Sequence, residues 1–325
     1  MSMRDAATPV PFVVQAGSAA NLCALLCGER EELSRQLRIS GAILFRGFGI
    51  TDARQLAALP TVVGNEPMRY WGGDSPRTDV DASVYTSTEA PAAITIPLHN
   101  EMSYLGSYPR HLWMACARPA RRGGETVLGD GRAIRRAIDP EVRRRFVRHG
   151  IRYRCIFRGP TGPRAILDRF FKAHKSWMDA FETESRAQVA ERCASIAVEH
   201  RWLRSGQLRL DTLRPATLRH PETGELAWFN QAHLFRLHPR YLGVLRYLLA
   251  RALFRDPETR SHHACFGDGS EIDRATLEHL YDVLGAHRVP VAWEPGDVLW
   301  IDNLSCMHGR EPFRGPRRVL VTMSA

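Results

Sequence analysis

The sequence predicts a mostly β fold with α-helical insertions, and two observations carry that expectation. Short apolar strands bounded by turn residues occupy both ends of the chain, with helix-rich stretches between them. Neither a G-x-G-x-x-G nor a P-loop pattern occurs, so nucleotide-binding folds built on βαβ alternation lose support.

Each element has its own signal. "GAILFRGFGI" (Gly41 to Ile50) is an apolar strand ended by glycine, and "HLWMACARP" (His111 to Pro119) is another, stopped by Pro119. "GGETVLGDG" (Gly123 to Gly131) is a turn, a short strand and a second turn. "DPEVRRRFVRHG" opens a helix with an N-cap, Asp139, and with Pro140 at the first helical position. Good helix formers run through Ser185 to Leu203, strand character returns at Gly224 to Gln231, and two helices are expected near Pro239–Phe254 and Asp273–Gly285. In the C-terminal segment, "EPGD" and "FRGPRR" are turns and "VLWIDN" and "VLVTM" are strands.

The 325 residues, 44% of them hydrophobic, can bury a sizeable core. We expect one domain, 1–325, with a mainly helical lid or insertion around 132–226. No apolar run reaches the ~18–20 residues of a membrane span. The first residues carry an acid and two prolines and do not resemble a secretory signal. The seven cysteines are odd in number, scattered and free of C-x-x-C, which fits free thiols in a reducing cytoplasm. The net charge of +10 is concentrated in "RAIRRAIDPEVRRRFVRHG". Without a zinc-finger, RNP or helix-turn-helix pattern, this run is expected to be a solvated helix face and not a nucleic-acid surface.

The chemistry starts at "PLHNEMSY" (Pro97 to Tyr104). On a strand, His99 and Glu101 share one face while Asn100 points to the other. An imidazole and a carboxylate so placed can reach one metal ion, although a buried hydrogen-bonded pair would use the same residues. A second histidine from another strand completes a facial triad, which leaves adjacent positions on iron(II) for a cosubstrate and oxygen. His308 follows an apolar strand, and ten residues later comes Arg318, whose planar fork suits the far carboxylate of 2-oxoglutarate. Arg317 and Arg318 are neighbours on a strand, so only one of them can face inward.

"LHNEMSY", "GGETVLGD", "WEPGDVLWIDN" and "HGREPFRGPRRVLV", with the earlier "LFRGFG" and "SPRTDVDASVYTSTE", resemble the taurine-dioxygenase and clavaminate-synthase-like family of iron(II)/2-oxoglutarate oxygenases. Within it the sequence is similar to the syringomycin-type amino-acid hydroxylases of natural-product pathways. The blocks run from about Gly41 to Met323, nearly the whole chain. The resemblance implies a double-stranded β-helix, or jelly roll, with helices packed outside. It implies His99, Glu101 and His308 as iron ligands, Arg318 on the 2-oxoglutarate C5 carboxylate, and Thr126 as a hydrogen-bond partner of 2-oxoglutarate. Many members carry aspartate where Glu101 stands, whereas clavaminate synthase carries glutamate. The position that grips the sulfonate in taurine dioxygenase is Thr322 here, which argues against a taurine-like substrate. Halogenating relatives lack the carboxylate ligand, so Glu101 favours hydroxylation, or the related desaturation or epoxidation.

The expected substrate is small and amino-acid-like, free or tethered to an acyl or peptidyl carrier protein, with Arg77 and Asn230 as candidate substrate contacts. Fe(II) is the expected cofactor, with 2-oxoglutarate and oxygen as cosubstrates. Two alternatives are a non-catalytic jelly-roll metal-binding protein, against which Arg318 counts, and a nucleic-acid-acting oxygenase of the same chemistry.

Overall fold

The computed structural model describes residues 10–17, 21–73, 75, 77–81, 83–159, 175–203, 206–253 and 260–325. Residues 160–174 and 204–205 of the expected lid, Phe254 at the end of an expected helix, and Pro76 in "SPRT" lie outside this set. The strands in chain order are β1 (Phe12–Gln15), β2 (Ala42–Arg46), β3 (Asp79–Asp81), β4 (Val84–Thr86), β5 (Ile96–His99), β6 (His111–Arg118), β7 (Arg122–Gly123), β8 (Thr126–Asp130), β9 (Ile151–Phe157) and β10 (Glu199–Trp202). They continue with β11 (Leu208–Arg214), β12 (Thr217–Arg219), β13 (Leu226–Trp228), β14 (His262–Phe266), β15 (Val289–Val291), β16 (Val298–Asp302), β17 (Cys306–Arg310), β18 (Phe313–Arg314) and β19 (Arg318–Ser324).

A seven-stranded sheet in the order β1-β2-β16-β6-β19-β4-β3 forms one layer, and a four-stranded sheet β15-β8-β17-β5 forms another. The central strands of the large sheet read as continuous apolar runs because both of their faces are covered. Ala42, Leu44, Met114, Leu299, Ile301, Val319 and Val321 alternate inward to the main core, which also holds Leu98, Val127, Leu128 and Met307 of the four-stranded sheet. Ile43, Phe45, Trp113, Val298, Trp300 and Leu320 point outward and pack with Leu22, Leu26, Leu33, Leu37, Leu56 and Leu59 of the helices Leu22–Gly28, Arg30–Ser40 and Ala53–Val62. Trp113 stacks on Trp300 at 4.4 Å.

The Pro140–His149 helix starts where its sequence says. The Asp139 carboxylate accepts from the amides of Glu141 and Val142, and Pro140 needs no partner at the first helical position. The described part of 132–226 holds strands as well as helices. It supplies β9, β10 and β11 to a further four-stranded sheet, β10-β11-β9-β14. The helix read from Ser185 ends at Ser195, and Glu199–Trp202 pairs as β10. The expected helix near Pro239–Phe254 is two, Pro239–Leu242 and Val244–Leu253, broken at Gly243 with φ 76°. Among the described residues no helix is long and apolar enough to cross a membrane.

One glycine sets the spacing of the strands that matter most. At Gly309 a Cβ would meet the Ile96 carbonyl oxygen at 2.4 Å and Val127 at 2.9 Å, so β17 approaches β5 more closely than a side chain allows. The β5–β17 register shifts between His308 and Arg310, around this residue. Gly309→Ala is expected to cost about 1–3 kcal/mol of stability by overpacking and to move His308 away from His99. Urea unfolding together with a metal titration checks both effects. A variant as stable as the parent with unchanged metal affinity would remove this role from Gly309.

Candidate active site

His99 ends β5 and His308 lies in β17, and the antiparallel register sets the two residues directly opposite each other. Their rings are 4.4 Å apart. The His99 Nδ1 lies 3.0 Å from the Pro97 carbonyl, to which an Nδ1–H donates, leaving Nε2 as the free lone pair. Glu101 is not on the strand. β5 stops at His99, and Glu101 sits in the turn that follows. It reaches the histidines because the turn is clamped, and alternation along a strand plays no part.

The clamp is Asn303, which follows β16. It is fully buried, its Oδ1 accepts from the Glu101 amide at 2.8 Å, and its Nδ2 donates to the carbonyls of Glu101 at 3.1 Å and Pro109 at 2.7 Å. Asn100 does point away from the histidines. Its Nδ2 donates to the Asn303 carbonyl at 2.7 Å, and its Oδ1 accepts from the Asn230 amide at 3.2 Å. Asn303→Ala deletes three bonds to the loop that carries Glu101. Metal affinity is expected to fall about 10–100-fold, read by Co(II) titration of the metal-free protein. Unchanged affinity in a folded variant would mean that the loop holds itself.

The donor atoms of His99, Glu101 and His308 all lie within 4.8 Å of one another, the one group of this kind among the described residues. The Glu101 Oε2 stands 3.7 Å from the His308 Nε2 and 2.5 Å from the Arg77 guanidinium, with both members of the Arg77 pair 5% exposed at their side chains. Burial opposes ionisation of the Glu101 carboxyl. The charge of Arg77, then the contacts with His308 and His99, outweigh burial and hold its pKa well below the usual carboxylate range. Burial, reinforced by His308, pushes the His99 pKa down to about 4. A neutral imidazole beside an ionised carboxylate is the protonation state in which a divalent metal is bound. Two imidazoles and one carboxylate form the donor set of the 2-His-1-carboxylate iron(II) site, so the residues fit that ion. A third buried imidazole, His233, packs edge-on to Tyr281 at 5.5 Å, and burial followed by its neighbour His99 pushes its pKa down to about 3.

The other expected residues separate. Arg77 stacks on Tyr70 at 4.5 Å and joins the metal group. Thr126 is buried on β8, and its hydroxyl accepts from the Trp293 indole at 3.1 Å. Arg318 is corrected: it is exposed, at the first position of β19, before the strand enters the two cores. The inward arginine is Arg317. It donates to the Gly124 carbonyl at 3.0 Å and the Ser87 hydroxyl at 3.1 Å, and it has no carboxylate ion pair among the described residues. Burial, then the charge of Arg310, lowers its pKa to about 10, so it is charged at neutral pH. Asn230 is also corrected. It is fully buried, and its side chain is spent on the Ala216 carbonyl and the Ala232 amide. Thr322 is fully buried on the Ser83 carbonyl.

The profile of the "Taurine catabolism dioxygenase TauD, TfdA family" matches residues 8–323. The chain belongs to this family. This TauD/TfdA-family dioxygenase therefore uses Fe(II), with 2-oxoglutarate and oxygen as cosubstrates. It is 36% identical over 283 residues to the dapdiamide synthesis protein DdaC of Enterobacter agglomerans, covering 87% of this chain and 82% of that one. It is 27% identical over 299 residues to a clavaminate synthase-like protein of Arabidopsis thaliana, covering 91% and 84%. Two solved structures share the β-rich fold of the TauD/TfdA-family chain at 16% identity. One is AAD-2 in complex with Mn(II) and N-oxalylglycine, with a TM-score of 0.55 and coverage of 100% of this chain and 98% of that one. The other is PvcB of Pseudomonas aeruginosa, with a TM-score of 0.53 and coverage of 96% and 85%.

Proposed function

We propose that this dioxygenase hydroxylates an unactivated C–H bond of a small amino-acid-like substrate, free or carried on an acyl or peptidyl carrier protein, in natural-product biosynthesis. The observation that carries the reading is the convergence of His99, Glu101 and His308 from a strand register and a clamped turn, with the positive charge of Arg77 against the carboxylate. His99, Glu101 and His308 would hold the iron. Iron(II) with 2-oxoglutarate supplies the oxidising power that breaks a C–H bond.

The chain's own part is to bind, orient and exclude water. Arg317, half-buried and without a carboxylate partner among the described residues, would take the far carboxylate of 2-oxoglutarate, and Thr126 on β8 would donate its hydroxyl hydrogen to the same molecule. Arg77, ion-paired with Glu101, would be the contact for an acidic group of the substrate. An amino-acid-like substrate would bring such a group. The similarity to a protein named for dapdiamide synthesis supports a biosynthetic role. The presence of Glu101 favours hydroxylation, with desaturation and epoxidation as the neighbouring outcomes.

We further read the seven-stranded and the four-stranded sheet as the two halves of a double-stranded β-helix. We read 1–325 as one catalytic domain, with 132–226 over the site. The shared core cluster, which runs from Ala42 to Met323 and includes Tyr153, Phe181 and Leu210, supports both readings.

The test is substrate-stimulated formation of succinate from 2-oxoglutarate by the Fe(II)-loaded protein. The panel holds free amino acids, the same aminoacyl groups on a carrier protein, and methylated oligonucleotides, with product masses read for a gained oxygen atom. Stimulation by the amino-acid members supports the proposal. Stimulation by the oligonucleotides alone would replace it with the nucleic-acid reading. Metal binding without any 2-oxoglutarate consumption would leave a non-catalytic metal-binding protein.

A further inference from the structure

The helix Val244–Leu253 has no use in the site described above. None of its residues is buried. Val244, Leu245, Leu248, Leu249 and Leu253 are 68, 81, 55, 54 and 62% exposed. At 3.6 residues per turn these five side chains fan over about half of the helix circumference. Among the described residues the remaining exposed large apolar side chains, Val13, Ile39, Val147, Leu213 and Val289, are scattered singly over other elements. Scattered exposure needs no explanation, whereas a contiguous apolar face marks an interaction site.

The edges of the face are charged. On the helical wheel Arg246 follows Leu253 along one edge, and Arg251 borders Val244 along the other. Arg251 contacts the Tyr247 hydroxyl at 3.4 Å, and neither arginine has a carboxylate ion pair among the described residues. An apolar stripe flanked by charge is how a helix selects a partner helix, the flanks setting which partner is accepted.

We propose that Val244–Leu253 is a docking helix for an acidic protein that presents an apolar helix of its own. A second copy of this chain fits poorly. Parallel pairing on the stripe would set the Arg246 edge of one copy along the Arg251 edge of the other, antiparallel pairing would set each arginine's edge along its own counterpart, and each copy carries a net charge of +10. A membrane surface also fits poorly. Among the described residues the contiguous apolar exposure lies on one helix of ten residues, about 15 Å long, which matches one partner helix better than an extended plane. The proposal goes beyond the catalytic reading and does not depend on which substrate the metal centre takes.

Two stapled helical peptides sharing a leucine face, one flanked by glutamates and the other by lysines, serve as probes in fluorescence anisotropy with the full chain. The glutamate peptide is expected to bind more tightly by on the order of tenfold, the preference weakening with salt. The double variant Leu245→Glu/Leu249→Glu should lose the binding while keeping the parent's 2-oxoglutarate turnover, which also shows that it folds. The double variant Arg246→Glu/Arg251→Glu should reverse the preference. Equal binding of the two peptides, binding of neither, or binding that survives in the leucine variant would overturn the proposal. So would sedimentation of the wild type as a dimer, or cosedimentation with anionic phospholipid vesicles, if either is lost in the leucine variant. The first would give the face to a second copy, and the second would give it to a lipid surface.

Discussion

Replacing Glu101 with Gln will bring iron-dependent consumption of 2-oxoglutarate close to background, and replacing His308 with Ala will do the same. A three-residue centre holds no spare protein ligand, so each loss leaves two donors for the metal. Glu101→Gln is the sharper test. It keeps the shape of the side chain and an acceptor for Arg77 while removing the negative charge that offsets part of the metal's own. Glu101→Asp keeps that charge on a side chain one methylene shorter, so activity should fall in the order wild type, Asp, Gln. Isothermal titration with Co(II), circular dichroism and succinate assays separate loss of metal from loss of fold. A Gln variant with most of its activity would mean that Glu101 is a partner of Arg77 and His308 and not a ligand.

The second large effect is expected at Arg317. A charge-assisted bond from a half-buried guanidinium to a carboxylate contributes about 1.5–3 kcal/mol. Arg317→Ala should therefore raise the apparent 2-oxoglutarate requirement by about 10–100-fold and leave metal affinity nearly unchanged. Arg318→Ala should change neither, because Arg318 is exposed. The pair of variants decides between the two arginines in one experiment. The opposite pattern would mean that β19 rotates on binding its ligand.

The contrast between these arginines shows what the sequence could and could not carry. His99, Glu101 and His308 were read together from the family resemblance and from the place of His308 after an apolar strand, and the structure brings their donor atoms together. The reason first given for Glu101 was nonetheless wrong. A turn and not a strand delivers it, and the clamp on that turn comes from Asn303, some two hundred residues away in sequence, which no local pattern announces. Arg317 and Arg318 could not be told apart because β19 is apolar on both faces, so periodicity in "VLVTM" does not say which residues face inward. A register shift between Arg318 and Val319 blurs the count further. Asn230 misled for a related reason, since a buried amide in "WFNQ" looks the same whether it meets a ligand or a backbone. The strands of 132–226 did leave a trace. "IRYRCIF" and "LRLDTLR" alternate with a period of two, a signal that the surrounding helix formers outweighed.

The clamp around Glu101 is made of amides, and that chemistry has a consequence for how the enzyme could change over time. Asn303 and Asn100 bind the main chain of their partners: the Glu101 amide, the carbonyls of Glu101, Pro109 and Asn303, and the Asn230 amide. Side-chain identity at 109 or 230 is therefore not what the metal loop reads, and neighbouring pocket positions are free to vary without dislodging Glu101. None of these bonds titrates, so the clamp itself does not slacken with pH or salt as a clamp of ion pairs would. Such a scaffold lets the choice of substrate drift while the reactive centre stays in place.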